Sequence, residues 1–410
     1  MKPAVERLGL TVPEAALLAL AVLVSLFTGF YAIDAESMWA DEGVSIREIS
    51  LPLPDYLAAI FGDKAYSALY YILLRLATTV AGMGEAAIRA PSALFVAAAV
   101  PFVYLVARAA SGRIAGLFAV LLAVSSAFLV HYSQEARAYA LAYLLVAVSS
   151  WLLVRAVNAP ETRRWVLYGV VAALAAYAHF FAVFVIVAQV GWALVALPAQ
   201  RRHVLVVAAA GGLALVPLGL NILAGKERGW IENVSPERVE KVVGALVGAD
   251  LVPQDPRLLA VAFAGGVVLA LVAALAPRPR TAGLARPSGP GGRSLILLLA
   301  ACVAVPVGGS LLVSLVKPIL VPRYLIVVEP ALLALVGVGY AWLRPRWVGP
   351  VVIAATVVIG AMGVSTWYRV TTKTDFRAAA GIIQANAGPN DLAIVFPPGY
   401  EYAALDYYLQ

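Results

Sequence analysis

The chain has 410 residues, of which 62% are hydrophobic and 13% are charged, and its mean hydropathy is +0.89. A soluble domain is nearer half apolar and about a quarter charged, so this composition excludes a soluble globular fold. The net charge of +7 does not indicate a nucleic-acid partner, because the basic residues lie in short loops between apolar runs. The single cysteine, Cys302, lies inside an apolar run, which excludes a disulfide framework.

Apolar runs of about 20 residues, long enough to cross a bilayer as helices, recur along the chain. The first run is too long for the core of a signal peptide, and no small-residue cleavage site stands out, so we expect a retained first helix. Eleven spans are predicted, at about 10–32, 90–107, 114–130, 138–154, 165–178, 180–198, 204–224, 258–276, 294–316, 324–343 and 347–366.

A further apolar segment, 65–82, is short and contains Arg75, and the loop charges decide whether it crosses. If it does not cross and the N-terminus is cytoplasmic, 15 of the 30 basic residues but only three of the 23 acidic residues lie on the cytoplasmic side. If it crosses, every later loop inverts and the basic loops face outward, against the positive-inside rule. The charges therefore predict eleven spans in a bacterial or archaeal cytoplasmic membrane, with the N-terminus inside and the C-terminus outside. Segment 65–82 is then a juxtamembrane or re-entrant helix on the outer face.

This topology divides the chain into two predicted parts, an all-α polytopic membrane domain, 1–366, and an extracytoplasmic segment, 367–410. The membrane domain carries a long first outer loop, 33–89. The C-terminal segment has too little core to fold well alone. We expect it either to pack on the membrane domain or to be the cut-short start of a domain that continues past Gln410.

The C-terminal segment is predicted to be α/β. Its pattern indicates an amphipathic helix over Asp375–Asn386, a turn, a strand over Leu392–Phe396 and a second helix over Tyr400–Leu409.

The richest group of ionisable residues opens the first outer loop. It comprises Asp34, Glu36, Asp41 and Glu42. Charge is costly near a bilayer, so ionisable residues clustered at span ends are functional candidates. Adjacent carboxylates can act as a general base, as metal ligands, or as both. The alternative is a solvated loop just past a helix end, and the residues alone leave both interpretations open.

A second group runs from His131 to Tyr139 and joins the third and fourth predicted spans on the same outer face. At helical spacing His131, Glu135 and Tyr139 share one face, which would gather an imidazole, a carboxylate and a phenol. The alternative is an internal salt bridge between Glu135 and Arg137 that only fixes the loop.

Basic residues at the outer boundary form a third group. Lys64 precedes the juxtamembrane segment, Arg323 and Tyr324 precede the tenth span, and Lys226 and Arg228 lie in the loop near 225–256. Lysine can bind a phosphate as a point charge and arginine as a fork. The alternative for each is a side chain that anchors or snorkels at the interface.

His179 lies at an outer turn, and a lone histidine is more often a hydrogen-bonded structural residue than a metal ligand. The sequence contains no HExxH, Walker A, GxSxG or CxxC motif. The candidate functional groups are therefore the carboxylates and the basic side chains, and all of them are predicted to lie at the outer face of the membrane. This combination suits a lipid-linked phosphosugar, with the lipid between helices, the phosphate against Lys and Arg, and an acid that activates an acceptor.

At these residues the sequence resembles the membrane glycosyltransferases of the GT-C superfamily, nearest to the protein O-mannosyltransferases and lipid A aminoarabinose transferases. Trp39-Ala40-Asp41-Glu42 is similar to the acidic motif of the family's first loop, and Asp63-Lys64-Ala65 to the motif before its juxtamembrane helix. Tyr132-Ser133-Gln134-Glu135-Ala136-Arg137-Ala138-Tyr139 resembles the second outer loop, and Arg323-Tyr324-Leu325 a late motif near the lipid phosphate.

The resemblance implies a GT-C fold and inverting transfer of a sugar from a polyprenyl-phosphate donor to an acceptor at the outer face. In the family the first acid is catalytic, which places that role on Asp41, with Glu42 beside it and Glu135 assisting directly or through a cation. Lys64 and Arg323 would hold the leaving phosphate. The family leaves metal dependence open, so no cofactor is certain, and a divalent cation on Asp41 and Glu135 remains an option. Lipid, glycan and protein acceptors are all compatible.

Two alternatives to a glycosyltransferase are a transporter of lipid-linked sugars and a non-catalytic membrane scaffold. A transporter or flippase of lipid-linked sugars would share the helices, the basic outer site and the lipid partner. Transporters, however, place their key charges near the bilayer midplane, and the predicted spans here are nearly free of charge. A non-catalytic membrane scaffold is supported only by the C-terminal segment.

Overall fold

The structure is a computed structural model that describes residues 9–62, 64–224, 231–251, 256–276, 291–371, 373–388, 391–392, 395 and 401–409. The described residues form nineteen α-helices and four short 3₁₀-helices, with no strand among them. The α-helices are α1 (Val12–Phe30), α2 (Ala40–Ser50), α3 (Leu53–Phe61), α4 (Ala68–Ala81), α5 (Glu85–Ser111), α6 (Arg113–Val124), α7 (Ala127–Ser133), α8 (Tyr139–Asn158), α9 (Thr162–Ala178), α10 (Ala182–Ala196), α11 (Arg201–Ala214), α12 (Val216–Ala224), α13 (Pro236–Leu246), α14 (Pro256–Leu275), α15 (Gly292–Ser314), α16 (Glu329–Trp342), α17 (Val348–Trp367), α18 (Phe376–Asn386) and α19 (Glu401–Leu409). The 3₁₀-helices are Ala65–Ser67, Pro198–Gln200, Ala249–Leu251 and Pro322–Val328.

The multi-pass membrane character expected from the composition is confirmed. Within the described residues, seven helices are long and apolar enough to cross a membrane, and ten if each of three bent helix pairs counts as one span. The seven coincide with seven of the eleven predicted spans. Shorter or bent helices occupy the other four predicted spans, 114–130, 165–178, 180–198 and 204–224.

Helix α16 forms the centre of the bundle. The span that contains it, Pro322–Trp342, is 89% buried, and α6, α14 and α15 pack around it. Gly339 on α16 meets the backbone of Gly266 on α14 so closely that a Cβ would overlap the Gly266 carbonyl. Small residues that let helix backbones approach are typical of packing inside a membrane. By contrast, only 28% of the α1 span is buried, so this helix is left largely to lipid.

One end of the bundle is held together around Gln134. Its side-chain amide donates to the carbonyls of Gly29 (3.2 Å) and Tyr31 (2.7 Å), which have no intrahelical partner at the end of α1. Its carbonyl oxygen accepts from the indole of Trp367, at the end of α17 (2.8 Å). The first loop, the second loop and the last span therefore meet at this end.

The predicted α/β character of the C-terminal segment is wrong where the structure describes it. The segment forms α18 and α19, close to the two predicted helices, and Asp375 caps α18 by accepting from the Ala378 amide (2.9 Å). Residues 393, 394 and 396 of the predicted strand lie outside the described residues, and 392 and 395 are not in a strand. The two helices pack on each other, and α19 packs on α2.

Candidate active site

Asp41 and Glu42 are both in the first turn of α2. The helix begins after Trp39, which has an extended backbone (φ −104°, ψ 172°), and the Trp39 amide donates to the Glu42 carboxylate (3.4 Å). Acidic side chains are stabilised at this position by the unsatisfied amides and positive dipole end of a helix. The two carboxylates therefore stabilise the start of α2. Because successive residues of an α-helix are rotated by about 100°, the two side chains point in different directions.

Glu42 faces inward and is completely buried. Arg89 on α5 binds it as a fork, from Nε to Oε1 and from Nη2 to Oε2, both at 2.8 Å. The amide of Ala136 donates to Oε1 (2.9 Å), and Lys373 Nζ lies 3.2 Å from Oε2. Glu42 thus ties the first loop to α5, to the second loop and to the segment that follows the last span.

Arg89 uses its whole guanidinium for this connection. Besides binding Glu42, it donates to the backbone carbonyls of Ile33 and Glu36 (both 2.8 Å) and Ser37 (3.0 Å). Arginine has five N–H donors, and all five are engaged, although the side chain is only 1% exposed. The start of the first loop is therefore fixed on the α5 helix.

The cations decide the ionisation of Glu42. Burial raises the pKa of this carboxyl, but the ammonium of Lys373 and the guanidinium of Arg89 lower it further than burial raises it, to about 2. Opposite charges within about 4–6 Å favour the charged form in this way. Glu42 is ionised at neutral pH, and its oxygens are occupied by internal partners.

Asp41 differs from its neighbour in exposure and in partners. Its side chain is 24% exposed, and Oδ2 lies 3.7 Å from Nη2 of Arg323. Its backbone carbonyl accepts from Nη1 of Arg137 (3.2 Å), which also lies 3.3 Å from the Ser45 hydroxyl. The structure thus brings together Asp41 and Arg323, two residues that the sequence places 282 positions apart.

In the second loop, Glu135 pairs with His131, not with Arg137. His131 Nε2 lies 2.9 Å from Glu135 Oε1, and the imidazole is stacked between Tyr132 and Trp367 at centroid distances of 4.4 and 4.1 Å. Burial raises the pKa of Glu135, but His131 and Lys373 lower it, and the net shift is downward. The other oxygen, Oε2, is buried and accepts no hydrogen bond from any described residue.

A small pocket with aromatic walls opens beside Arg137. Tyr139, His179 and Tyr324 meet on one wall, where the His179 ring lies 5.7 Å from Tyr139 and 5.1 Å from Tyr324. The pocket is narrow, and its closed part has room for about one water molecule. Its lining residues are Tyr66, Ser67, Arg137, Ala138, Tyr139, His179, Phe180 and Tyr324. His179, expected to be structural, is 3% exposed and forms part of this wall.

The remaining predicted cations have different positions. Lys64 is 9% exposed and lies 3.9 Å from Glu48, which is also paired with Arg47 (2.8 Å). Lys64 is therefore not a freely snorkelling side chain. Lys226 and Arg228 lie outside the described residues.

The described part of the chain contains no group of three His, Cys, Asp or Glu side chains placed to hold a metal ion. Asp41 and Glu135 therefore do not belong to a three-ligand group within the part of the chain that the structure describes.

Two residues of the site are absent from the sequence-derived candidates, Arg89 and Lys373. A signal for Arg89 was present, since an arginine at the start of a long apolar helix is unusual and marks a buried partner. No comparable signal marks Lys373, which is one basic residue in a polar segment next to a span end.

Residues 66–220 match the sequence model of the family described as dolichyl-phosphate-mannose-protein mannosyltransferase. This match begins just before α4, includes the loop between α7 and α8, and ends within α12. None of the curated protein sequences compared with the chain matches it.

Among solved structures, the fold is similar to that of ArnT from Cupriavidus metallidurans bound to undecaprenyl phosphate. The TM-score is 0.61 at 16% identity, over 95% of this chain and 84% of that one. The same enzyme in its apo state gives 0.58 at 15% identity, over 96% and 84%.

The oligosaccharyltransferase of Archaeoglobus fulgidus, in complex with zinc and sulfate, has a TM-score of 0.54 at 13% identity, over 96% of this chain and 57% of that one. Identities this low establish the fold and not the reaction. The expected fold and resemblance are confirmed: the chain has the GT-C fold that these structures share, and its residues 66–220 match the model of the dolichyl-phosphate-mannose-protein mannosyltransferase family.

Proposed function

We propose that this protein is an inverting glycosyltransferase that moves a sugar from a polyprenyl-phosphate donor to an acceptor at the outer face of the cytoplasmic membrane. The observation that carries the proposal is the pairing of a partly exposed carboxylate, Asp41, with the guanidinium of Arg323 beside an aromatic pocket. The ArnT of similar fold binds undecaprenyl phosphate, which supports a polyprenyl-phosphate donor here.

The two neighbouring carboxylates have separate roles in this proposal. Asp41 is the catalytic base, which deprotonates or orients the acceptor hydroxyl as that oxygen attacks the anomeric carbon. Glu42, which the resemblance placed beside it as a further catalytic acid, has its oxygens bound by Arg89, Ala136 and Lys373. We assign Glu42 to holding the helix turn that presents Asp41.

The cations of the site stabilise the leaving group. As the sugar–phosphate bond breaks, negative charge grows on the lipid phosphate, and a fixed cation is worth most in a site shielded from water. Arg323, 20% exposed and next to Asp41, is the principal candidate, and Lys64 the second. Rings of Tyr139, His179 and Tyr324 line the pocket beside them, and the lipid chain would extend along the apolar helices.

Glu135 assists from the second loop in this account. Its oxygen without a described partner and its contact with His131 make it a secondary acid or orienting group for the acceptor. The sugar, the acceptor and any requirement for a divalent cation are left to the assay.

The test is the substitution Asp41→Asn, which keeps the shape of the side chain and removes the base. Radiolabelled undecaprenyl-phosphate sugars, mannose among them, are incubated with purified enzyme and membranes of the producing cell, and released undecaprenyl phosphate is quantified. We expect kcat to fall by about 100-fold or more, because general base catalysis contributes roughly that much, while binding of undecaprenyl phosphate is retained.

The matched control is Asp34→Asn, which changes an exposed acid in the same loop and should leave the rate within about twofold. Turnover by Asp41→Asn at the wild-type rate would contradict the assignment. Transport of the labelled lipid across the membrane of proteoliposomes, without release of undecaprenyl phosphate, would favour the flippase instead.

A further inference from the structure

Lys373 is a buried cation that comes from outside the membrane domain. It lies between the end of α17 and the start of α18, and its side chain is only 6% exposed. Lysine side chains normally keep the ammonium in water, and a fully buried one is almost always paired. Here the ammonium points into the site, 3.2 Å from Glu42 Oε2.

The segment that directly follows Lys373 is attached to the first loop through Ser37. The Ser37 hydroxyl accepts from the amides of Phe376 (3.0 Å) and Arg377 (3.4 Å), and it lies 3.4 Å from the carbonyl of Thr374. These backbone contacts fix the chain next to Lys373 on the first loop, and so they hold the Lys373 side chain beside Glu42.

Lys373 balances the charges next to the proposed catalytic group. The buried Glu42 contacts both Arg89 and Lys373, and the pKa of a second buried carboxylate, Glu135, which burial raises, is lowered by His131 and also by Lys373. Without Lys373, the buried negative charges of Glu42 and Glu135 near Asp41 would lose one of the cations that compensate them. An uncompensated buried charge is strongly unfavourable, so the turn that contains Glu42 would have to shift.

We propose that Lys373 is a positioning residue that holds Glu42 and, through the first turn of α2, the side chain of Asp41. This inference rests on the proposed role of Asp41. It assigns a part in the reaction to the extracytoplasmic segment, because the residue that completes the Glu42 network is supplied from that segment.

The test compares Lys373→Met, Lys373→Arg and a matched control, Arg377→Gln. Arg377 lies in the same segment and binds Glu85 (2.6 Å), but its side chain is 45% exposed and does not contact Glu42. We expect Lys373→Met to lower kcat by about 10- to 100-fold with little change in KM for the lipid donor, since a displacement of about 1 Å can have that effect. Lys373→Arg should restore most of the rate, and Arg377→Gln should stay near wild type.

A second readout does not depend on activity. The groups that face Glu42 from the surrounding elements are Arg89, Lys373, Glu135 and the phenol of Tyr70. Lys373 is one of the two cations that lower the pKa of Glu42, so its removal brings the folded-state pKa of Glu42 closer to the unfolded value of 4.5. The stability that the wild type loses as the pH falls from 4.5 towards 2 should therefore be smaller in Lys373→Met and unchanged in Arg377→Gln, and thermal unfolding in detergent across this range measures both losses.

The outcomes are distinct. If the wild type uses none of the donors, the proposed function fails, but the acid-dependent loss of stability still tests the link between Lys373 and Glu42. A normal kcat in Lys373→Met, or an acid-dependent loss of stability equal to that of the wild type, would overturn the inference. If Lys373→Met and Lys373→Arg both fail to fold while Arg377→Gln folds, Lys373 is a structural residue and the positioning role is rejected.

Discussion

At the residue scale, Asp41 and Glu42 show how neighbouring acids acquire different chemistry. A pattern of adjacent carboxylates is visible in the sequence, and it predicts a site centred on the first loop. The sequence could not assign the two acids separately, because the difference depends on Arg89, Ala136 and Lys373, which lie 47 to 331 positions from Glu42. Which acid is buried is decided by tertiary contacts and not by local pattern.

The depressed pKa of Glu42 predicts an acid-sensitive contribution to stability. The folded-state pKa is about 2 and the unfolded value 4.5, so the unfolded chain binds the proton more readily. The stabilisation is therefore fully present above pH 4.5 and is lost as the pH falls from there towards 2. Glu42→Gln should lower stability by about 3 kcal/mol at pH 7, and the difference from wild type should shrink below pH 4.5.

The measurement is the thermal unfolding midpoint in detergent between pH 3 and pH 8, with Glu36→Gln, in the same loop, as the control. A difference between Glu42→Gln and wild type that stays constant across this range would show that the ionised carboxylate is not the source of the stabilisation.

At the element scale, the contact between α2 and α19 connects the site to the C-terminal segment. Gly43, the residue after Glu42, lies against the backbone of Ala403 and Ala404, and a Cβ there would be 2.3 Å from the Ala404 nitrogen. Backbone atoms cannot move aside as a flexible side chain can. The Tyr408 hydroxyl, also on α19, accepts from the Met38 amide and donates to Glu85 (both 2.7 Å).

Gly43→Ala should therefore separate α19 from α2. We expect a loss of about 1–3 kcal/mol in stability, as for other overpacked sites, and faster proteolysis of the C-terminal segment. Gly381→Ala on α18, where a Cβ meets open space, is the matched control and should be neutral or slightly stabilising. Equal protease resistance of both variants would contradict the close packing of α19 on α2.

The helices of the C-terminal segment were predictable because each has a local signal. Asp375 caps α18, and the apolar face of that helix repeats with helical spacing. The predicted strand rested on a short apolar run, where helix, strand and loop are hard to separate by period alone. The docking of the segment on α2 depends on Gly43 and Ser37, whose partners lie more than 300 positions away.

At the scale of the whole molecule, hydropathy identified the long helices, because a bilayer demands about 20 apolar residues for each span. Seven predicted spans coincide with single helices, but the interval 114–130 contains a bend of 58° between α6 and α7. Ser125 and Ser126 stand at this bend, and Ser126 caps the new helix by accepting from the Leu129 amide (3.2 Å). Hydropathy does not register such a break, since both pieces are apolar.

The orientation of the bundle remains a prediction that a labelling experiment can check. The start of α5 follows the juxtamembrane helix, so Gly84→Cys is expected to react with a membrane-impermeant maleimide added to intact cells. Gly84 is exposed, and the native Cys302 is buried and contributes little background. Because Arg89, near Gly84, binds Glu42, Gly84 lies at the same end of the bundle as Asp41, and labelling only after permeabilisation would mean that the bundle is inverted and that the proposed site faces the cytoplasm.

The central claim is that the end of the bundle around Asp41 is the site of a lipid-linked phosphosugar. An experimental structure of the purified protein with undecaprenyl phosphate tests it most directly. We predict that the phosphate lies against Arg323, on the Asp41 side of the aromatic pocket, with the lipid chain along the apolar helices. A phosphate bound elsewhere on the bundle, with the Asp41 and Arg323 side chains still paired, would contradict the account.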